Sequence, residues 1–173
     1  MRIRVIAVGT RLPQWAQGAV DEYAKRMPPE CRVEVCPVAA ASRPRKPDVP
    51  RMLRDEAQRM EGLLLPGALR VALDERGREW RTADLAGALG EWIADSRDVC
   101  MLIGGADGLM PELRARADFA LALSRLTLPH ALARVVLVEA AAGPVDCSPA
   151  AVPAAPRRRN PSRSRPTRSA PSL

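Results

Sequence analysis

The sequence predicts an α/β fold built on a parallel sheet, because short apolar runs alternate with helical patterns along the chain. The run over 99–103 is apolar at every position, which is typical of a strand that helices cover on both faces. Between such runs, apolar residues recur at helical spacing. An alternation of strand and helix repeated five times favours a parallel sheet with helices on both of its faces.

Each predicted element has its own signal. The strands are β-branched or apolar runs, which we place at 3–8, 32–38, 69–73, 99–103 and 120–124. The third strand is expected to end at Asp74, and a turn is expected around Gly77. The helices begin near capping residues or prolines, at Leu12-Pro13, at Asp48 with Pro50 in its first turn, at Thr82, at Pro111 and after Pro129-His130. The last helix is expected to break at Gly143-Pro144.

The net charge of +7 belongs mainly to the last 34 residues, which hold six arginines and one aspartate. Of these residues, 26 are Ala, Pro, Ser or Arg, so we expect a domain over 1–139 and a disordered tail over 143–173. The charge of residues 1–139 is therefore only weak evidence that this domain binds nucleic acid. Arg43, Arg45 and Lys46 form a basic loop that is either a plausible RNA contact or ordinary solvated charge.

Several classes of site and location lack support in the sequence. The four cysteines have neither CxxC nor zinc spacing, so no metal site is expected, and Cys36 and Cys100 are interpreted as buried thiols. No segment resembles a signal peptide or reaches the length of a membrane span, which favours a cytoplasmic protein. The glycines match neither GxGxxG nor a Walker loop, which leaves dinucleotides and nucleoside triphosphates without a motif.

Three predicted strand ends are candidates for a binding site: Leu73, Gly104 and the segment that starts at Leu123. In open parallel sheets, ligands lie beyond the carboxyl ends of the strands, so the three ends are expected to converge on one pocket. Taken singly, each of these segments also fits an ordinary structural role without a ligand. The glycines fit an ordinary turn, and the segment fits a βα loop in which Thr127 is a local cap. The single histidine, His130, is more often a capping residue than a catalyst at such a position.

Taken together, these segments resemble the RlmH family of SPOUT-type methyltransferases over about residues 1–139. The matching motifs occur in order and at the family's spacing. They are Val8-Gly9-Thr10 with Pro13-Gln14-Trp15, Leu73-Asp74 with Gly77 and Trp80, the segment from Leu102 to Gly108, the segment from Leu123 to His130, Arg134-Val135 and Val138-Glu139.

The resemblance implies a SPOUT fold with a C-terminal trefoil knot that works as a homodimer. It further implies S-adenosylmethionine-dependent methylation of N3 of a pseudouridine in 23S rRNA of the assembled ribosome. The cofactor contacts that it implies are Leu73, Gly104, Leu123, Ser124, Arg125, Leu126, Thr127 and Leu128. No residue is identified as the acceptor of the N3 proton, so the catalytic group stays unknown.

The resemblance ends near Glu139, where Ala140-Ala141-Ala142 replaces the family's Tyr-Arg-Ala segment and the family's terminal His-Pro-Tyr-His-Arg is absent. Our first hypothesis is a frameshift near codon 139, because a GC-rich frame read out of phase yields mainly Arg, Ala, Pro, Ser and Gly. An inert tail ranks second and an RNA-binding tail third. The alternatives to an enzyme are a non-catalytic RNA- or ribosome-binding protein and an unrelated α/β ligand-binding domain.

Overall fold

The computed structural model of the chain describes residues 1–143 and contains a five-stranded sheet in the order β2-β1-β4-β3-β5. All four strand pairings are parallel. The strands are β1 Arg2–Val8, β2 Arg32–Val38, β3 Leu69–Glu79, β4 Val99–Ile103 and β5 Phe119–Ala122, and the helices are α1 Gln14–Ala24, α2 Val49–Glu61, α3 Thr82–Ala94, α4 Pro111–Ala115 and α5 His130–Ala142. The predicted α/β class with a parallel sheet is confirmed.

The sheet separates two apolar cores, because successive residues of a strand point to opposite faces. On one face, Val5 of β1 and Met101 of β4 pack with Leu89 of α3 and Leu137 of α5. On the other face, residues of α2 and α4 pack on Leu102 and its neighbours. The central strand β4 is buried at every position, as its continuous apolar run predicts.

Helix starts follow the local signals closely. Asp48 is the N-cap of α2, and its carboxylate accepts a hydrogen bond from the backbone N–H of Arg51. Pro111 opens α4 as predicted. The prediction that Thr82 caps α3 is off by one residue. Arg81 occupies the cap position, and the Asp84 carboxylate reaches back to its backbone N–H.

The predicted end of β3 at Asp74, with a turn around Gly77, is wrong. Pairing of β3 with β4 stops at Leu73, but β3 continues to Glu79 because pairing with β5 resumes at Arg78 after an irregularity. A Cβ at Gly77 would lie 2.6 Å from the backbone carbon of Leu121, so this glycine permits a close approach of two strands.

Two smaller expectations also need correction. β5 runs from Phe119 to Ala122 and so begins and ends earlier than 120–124. Cys100 is buried as expected, but Cys36 is only half-buried; Cys31 is the other buried thiol among residues 1–143. The tail expected to be disordered over 143–173 lies, beyond Gly143, outside the described residues. No helix in the described part of the chain is long and apolar enough to cross a membrane.

Candidate cofactor-binding site

A cavity of about 720 Å³ opens at the carboxyl edge of the sheet, where β3, β4 and β5 end or bend. This volume is within the range of small-molecule binding sites. Three segments supply most of the lining, namely 73–76 from β3, 103–109 after β4 and 121–130 between β5 and α5. The convergence of three strand ends expected from the parallel topology is therefore present.

Seven of the eight residues predicted to contact the cofactor line this cavity: Leu73, Gly104, Leu123, Ser124, Leu126, Thr127 and Leu128. Arg125 does not. Its side chain is 86% exposed, and its Nε donates a 2.8 Å hydrogen bond to the carboxylate of Glu79. Any contact of Arg125 with a ligand in the cavity therefore has to come through its backbone or through a rearranged side chain.

The glycine-rich segment after β4 folds tightly back on itself. Gly108 has a φ of +84°, which glycine adopts without strain, and its N–H donates to the carbonyl of Gly105 at 3.0 Å. A Cβ at Gly104 would lie 2.3 Å from the backbone of Gly108. The absence of a side chain at Gly104 is therefore required by the loop itself, and it leaves backbone accessible on the cavity wall.

The segment between β5 and α5 is held by its own side chains. The Ser124 hydroxyl accepts a 3.0 Å hydrogen bond from the N–H of Leu126, and the Thr127 hydroxyl donates to the Glu75 carboxylate at 3.2 Å. Thr127 thus joins two walls of the cavity. It is not a helix cap, because Pro129 occupies that position of α5. Leu126, 74% exposed, presents a large apolar side chain at the opening.

Two carboxylates at the rim of the cavity, Asp74 and Asp107, are each paired with an arginine. Asp74 pairs with Arg114 at 3.1 Å and also accepts from the backbone N–H of Arg76. Asp107 pairs with Arg43 at 2.8 Å, which ties the loop after β2 to the glycine-rich segment. The walls nearest the sheet are apolar, with Leu73, Ile103 and Leu121 among them. An apolar interior with polar groups at its edge suits a ligand such as a nucleoside.

Two buried polar residues behind the cavity, Glu56 and Arg134, were not predicted to lie there. Glu56 of α2 is buried, and its carboxylate accepts a hydrogen bond from the N–H of Ala41 at 2.9 Å. A Cβ at Gly105 would lie 2.7 Å from the same carboxylate. Arg134 of α5 is also buried, and its Nη2 donates to the carbonyls of Val8 and Gly9. The sequence predicts the helices that carry Glu56 and Arg134 but not these backbone partners.

His130 lines the cavity at the first position of α5. Desolvation, followed by the positive charge of Arg134, lowers its pKa below the ordinary 6.5, while Glu56 acts in the opposite direction. This shift favours the uncharged ring, which offers one nitrogen as a hydrogen-bond acceptor. No cluster of three or more His, Cys, Asp or Glu side chains suited to a metal ion occurs among residues 1–143.

Comparison with known proteins assigns this architecture to a family. The model of the family described as predicted SPOUT methyltransferases matches residues 1–141. The chain therefore belongs to the SPOUT methyltransferase family. A relative from Paraburkholderia xenovorans, named ribosomal RNA large subunit methyltransferase H, is 50% identical over 139 residues, which is 80% of this chain and 89% of the relative. The protein of the same name from Paraburkholderia phymatum is 49% identical over the same lengths.

Two solved structures support the fold. A probable methyltransferase from Bordetella pertussis superimposes with a TM-score of 0.54 at 18% identity, covering 83% of this chain and 96% of the other. A putative methylase family protein from Neisseria gonorrhoeae gives a TM-score of 0.51 at 15% identity, covering 85% and 83%. At these identities the likeness concerns the fold alone.

Proposed function

We propose that this SPOUT methyltransferase uses S-adenosylmethionine to methylate N3 of a pseudouridine in 23S rRNA of the assembled ribosome, in the cytoplasm. The observation that carries the proposal is the cavity shared by the three strand ends, in a chain that is 50% identical over 139 residues to a ribosomal RNA large subunit methyltransferase H. The family supplies the reaction, and the cavity supplies a place for its cofactor.

The residues around the cavity fit that cofactor. Leu73 and Leu123 offer apolar surface for an adenine ring, and Gly104 leaves backbone open to a close approach. Carboxylates at the rim, such as Glu75 and Asp107, are acceptors for hydroxyl or ammonium groups. When bound, S-adenosylmethionine supplies a methyl group that its sulfonium has already activated.

The protein's own part is then mainly alignment. Thr127, tied to Glu75, and Ser124, which closes a local turn, hold one wall of the cavity in a fixed conformation. Fixed walls hold the cofactor in place in advance, so less conformational freedom is lost when the cofactor and the base reach a reactive geometry. This loss of freedom is a large share of the barrier to transfer between two bound molecules. Leu126 at the opening helps to exclude water once the RNA base has entered.

The proposal includes the trefoil knot and the homodimer. Support for the knot comes from α5, which follows the edge strand β5 yet packs on α1, so the chain has to return across the carboxyl edge of the sheet. Support for the dimer comes from Trp15 on α1 and Leu132 on α5, whose side chains are 59% and 37% exposed. Large apolar side chains on two packed helices are typical of a surface that a partner covers.

The experiment that tests the proposal is methyl transfer from labelled S-adenosylmethionine to ribosomes from a strain that lacks this modification, followed by mapping of the methylated nucleotide. Label at N3 of a pseudouridine in 23S rRNA is the expected result. Label at another nucleotide, or only on free RNA, would contradict the proposed substrate. Sedimentation of the full chain and of Trp15→Lys tests the dimer, which the charged variant is expected to weaken.

A second candidate is a non-catalytic RNA- or ribosome-binding protein that keeps the fold. It is favoured by one observation, namely that the family match ends at residue 141 and leaves 32 residues unmatched. Calorimetry separates the two. Micromolar binding of S-adenosylmethionine supports the enzyme, whereas ribosome binding without cofactor binding supports the second candidate.

A further inference from the structure

The region between Arg43 and Arg54, which joins β2 to α2 and continues into that helix, carries an unusual density of positive charge. It holds five basic side chains, Arg43, Arg45, Lys46, Arg51 and Arg54, which we name the basic rim. Asp48 is the one acidic residue in the same stretch, and its carboxylate is engaged as the N-cap of α2. The stretch therefore has a net charge of +4.

The basic rim lies at the same edge of the sheet as the cavity. Arg43 reaches Asp107 in the cavity wall at 2.8 Å, and Leu53, next to Arg54 on α2, lines the cavity itself. Within residues 1–143, none of Arg45, Lys46, Arg51 and Arg54 has a carboxylate or hydrogen-bond partner for its side chain, and all four are exposed. Their charges are available to an external anion.

The backbone that presents these charges is held in place. Arg59 donates to the carbonyl of Ala39 at 2.7 Å, and Glu56 accepts from the N–H of Ala41 at 2.9 Å. Pro44, Pro47 and Pro50 further restrict the chain. A loop anchored in this way loses less conformational entropy on binding than a free one.

From these contacts we infer that the basic rim binds phosphate groups of the RNA whose target base enters the cavity. The inference rests on the proposed function and adds to it the surface that holds the substrate. Residues 39–54 contain no aromatic side chain on which a base could stack. The rim therefore contacts the backbone and sets the position of the RNA, while the base is recognised elsewhere.

The test compares two double variants with equal changes of charge. Arg45→Glu with Lys46→Glu reverses two charges of the rim. Arg32→Glu with Arg97→Glu reverses two exposed charges that lie at the amino ends of β2 and β4, on the opposite edge of the sheet. The full chain is used throughout, and binding to ribosomes that lack the modification is measured over a range of KCl concentrations.

Log affinity falls as log salt rises, and each lost phosphate contact makes this negative slope shallower by about 0.7 to 0.9. The slope of the rim variant is therefore expected to be shallower than that of the wild type by about 1.5. The rim variant is also expected to bind at least severalfold more weakly. The control variant is expected to keep the wild-type slope. Affinity for S-adenosylmethionine, measured by calorimetry, is expected to stay unchanged in both variants.

Equal slopes in the rim variant and the wild type would overturn the inference. A parallel loss of cofactor affinity would also overturn it, because the rim would then act on the cavity and not on RNA. The proposed function fails separately, through the absence of methyl transfer both by the present chain and by a chain with a family-like tail restored after Glu139, whatever the salt dependence of ribosome binding.

Discussion

The guanidinium of Arg134 in α5 donates a 2.6 Å hydrogen bond to the carbonyl of Gly9, just beyond the end of β1. The same nitrogen donates to the carbonyl of Val8 at 2.7 Å, and the side chain is almost fully buried. Gly9 itself has a φ of +106°, a conformation that turns its carbonyl inward without strain. One arginine thus fixes the start of α5, which carries His130 into the cavity, to the first strand.

Replacement of Arg134 tests this anchor. Arg134→Met keeps much of the volume but leaves buried carbonyls without their donor, which is expected to lower the free energy of unfolding by about 2–4 kcal/mol. Arg134→Lys is expected to cost less, since it keeps one charged donor. Denaturant unfolding measures both. A loss below about 0.5 kcal/mol in Arg134→Met would show that water or a rearranged helix replaces the guanidinium.

Substitution of Gly104 tests the glycine-rich wall of the cavity. A Cβ at this position meets the backbone of Gly108 at 2.3 Å, so Gly104→Ala has to open the loop. Overpacking of this kind costs about 1–3 kcal/mol. Because the cofactor is expected to bind the unopened loop, this cost corresponds to S-adenosylmethionine binding about 5- to 150-fold more weakly in calorimetry.

Gly90→Ala is the matched control for that variant, because nothing lies within 4 Å of a Cβ there, on the exposed side of α3. It should bind the cofactor as the wild type does and should be slightly more stable, since alanine favours helix over glycine. Equal affinities in Gly104→Ala and Gly90→Ala would remove Gly104 from the binding site.

The pKa of His130 predicts how stability changes between about pH 5 and pH 7. Burial and Arg134 lower the folded-state pKa below 6.5, and Glu56 offsets part of that shift. As the pH falls through 6.5, the unfolded state takes up a proton before the folded state does, so the free energy of unfolding decreases until the folded pKa is reached. Above 6.5 the contribution is constant.

Because His130 is the only histidine of the chain, His130→Gln provides a clean comparison. Urea unfolding at pH 5, 6 and 7 should show a smaller change with pH in the variant than in the wild type. Asp84 and Asp98 also have lowered pKa values and lose their contribution in the same direction, as the pH falls, but only near and below their ordinary 3.8. An identical pH dependence in both proteins would contradict the assigned direction of the His130 shift.

The parts of the fold that follow from local pattern could be predicted closely. The apolar run over Val99–Ile103 coincides with β4, because burial on both faces leaves a mark at every residue. Convergence of Leu73, Gly104 and Leu123 followed from the parallel topology alone, since the carboxyl ends of parallel strands share one edge.

Other features leave no such mark. Gly77 predicts a turn in the sequence, because a glycine that permits the close approach of two strands leaves the same pattern there. The bonds of Arg134 to Val8 and Gly9 could not be foreseen, because backbone carbonyls are present at every residue and the partners are more than 120 positions apart. The density of charge in the basic rim was visible, but its place beside the cavity depends on the Arg43–Asp107 contact.

The junction after Glu139 gives the last prediction. We expect resequencing of the gene to show that the frame changes near codon 139, because composition shifts there to Ala, Pro, Ser and Arg and the family match stops at residue 141. A chain with a family-like tail restored after Glu139 should then transfer methyl groups to ribosomes faster than the present chain. If the present frame is correct and both chains are equally active, the tail is an authentic extension and the family's usual C-terminus is dispensable in this protein.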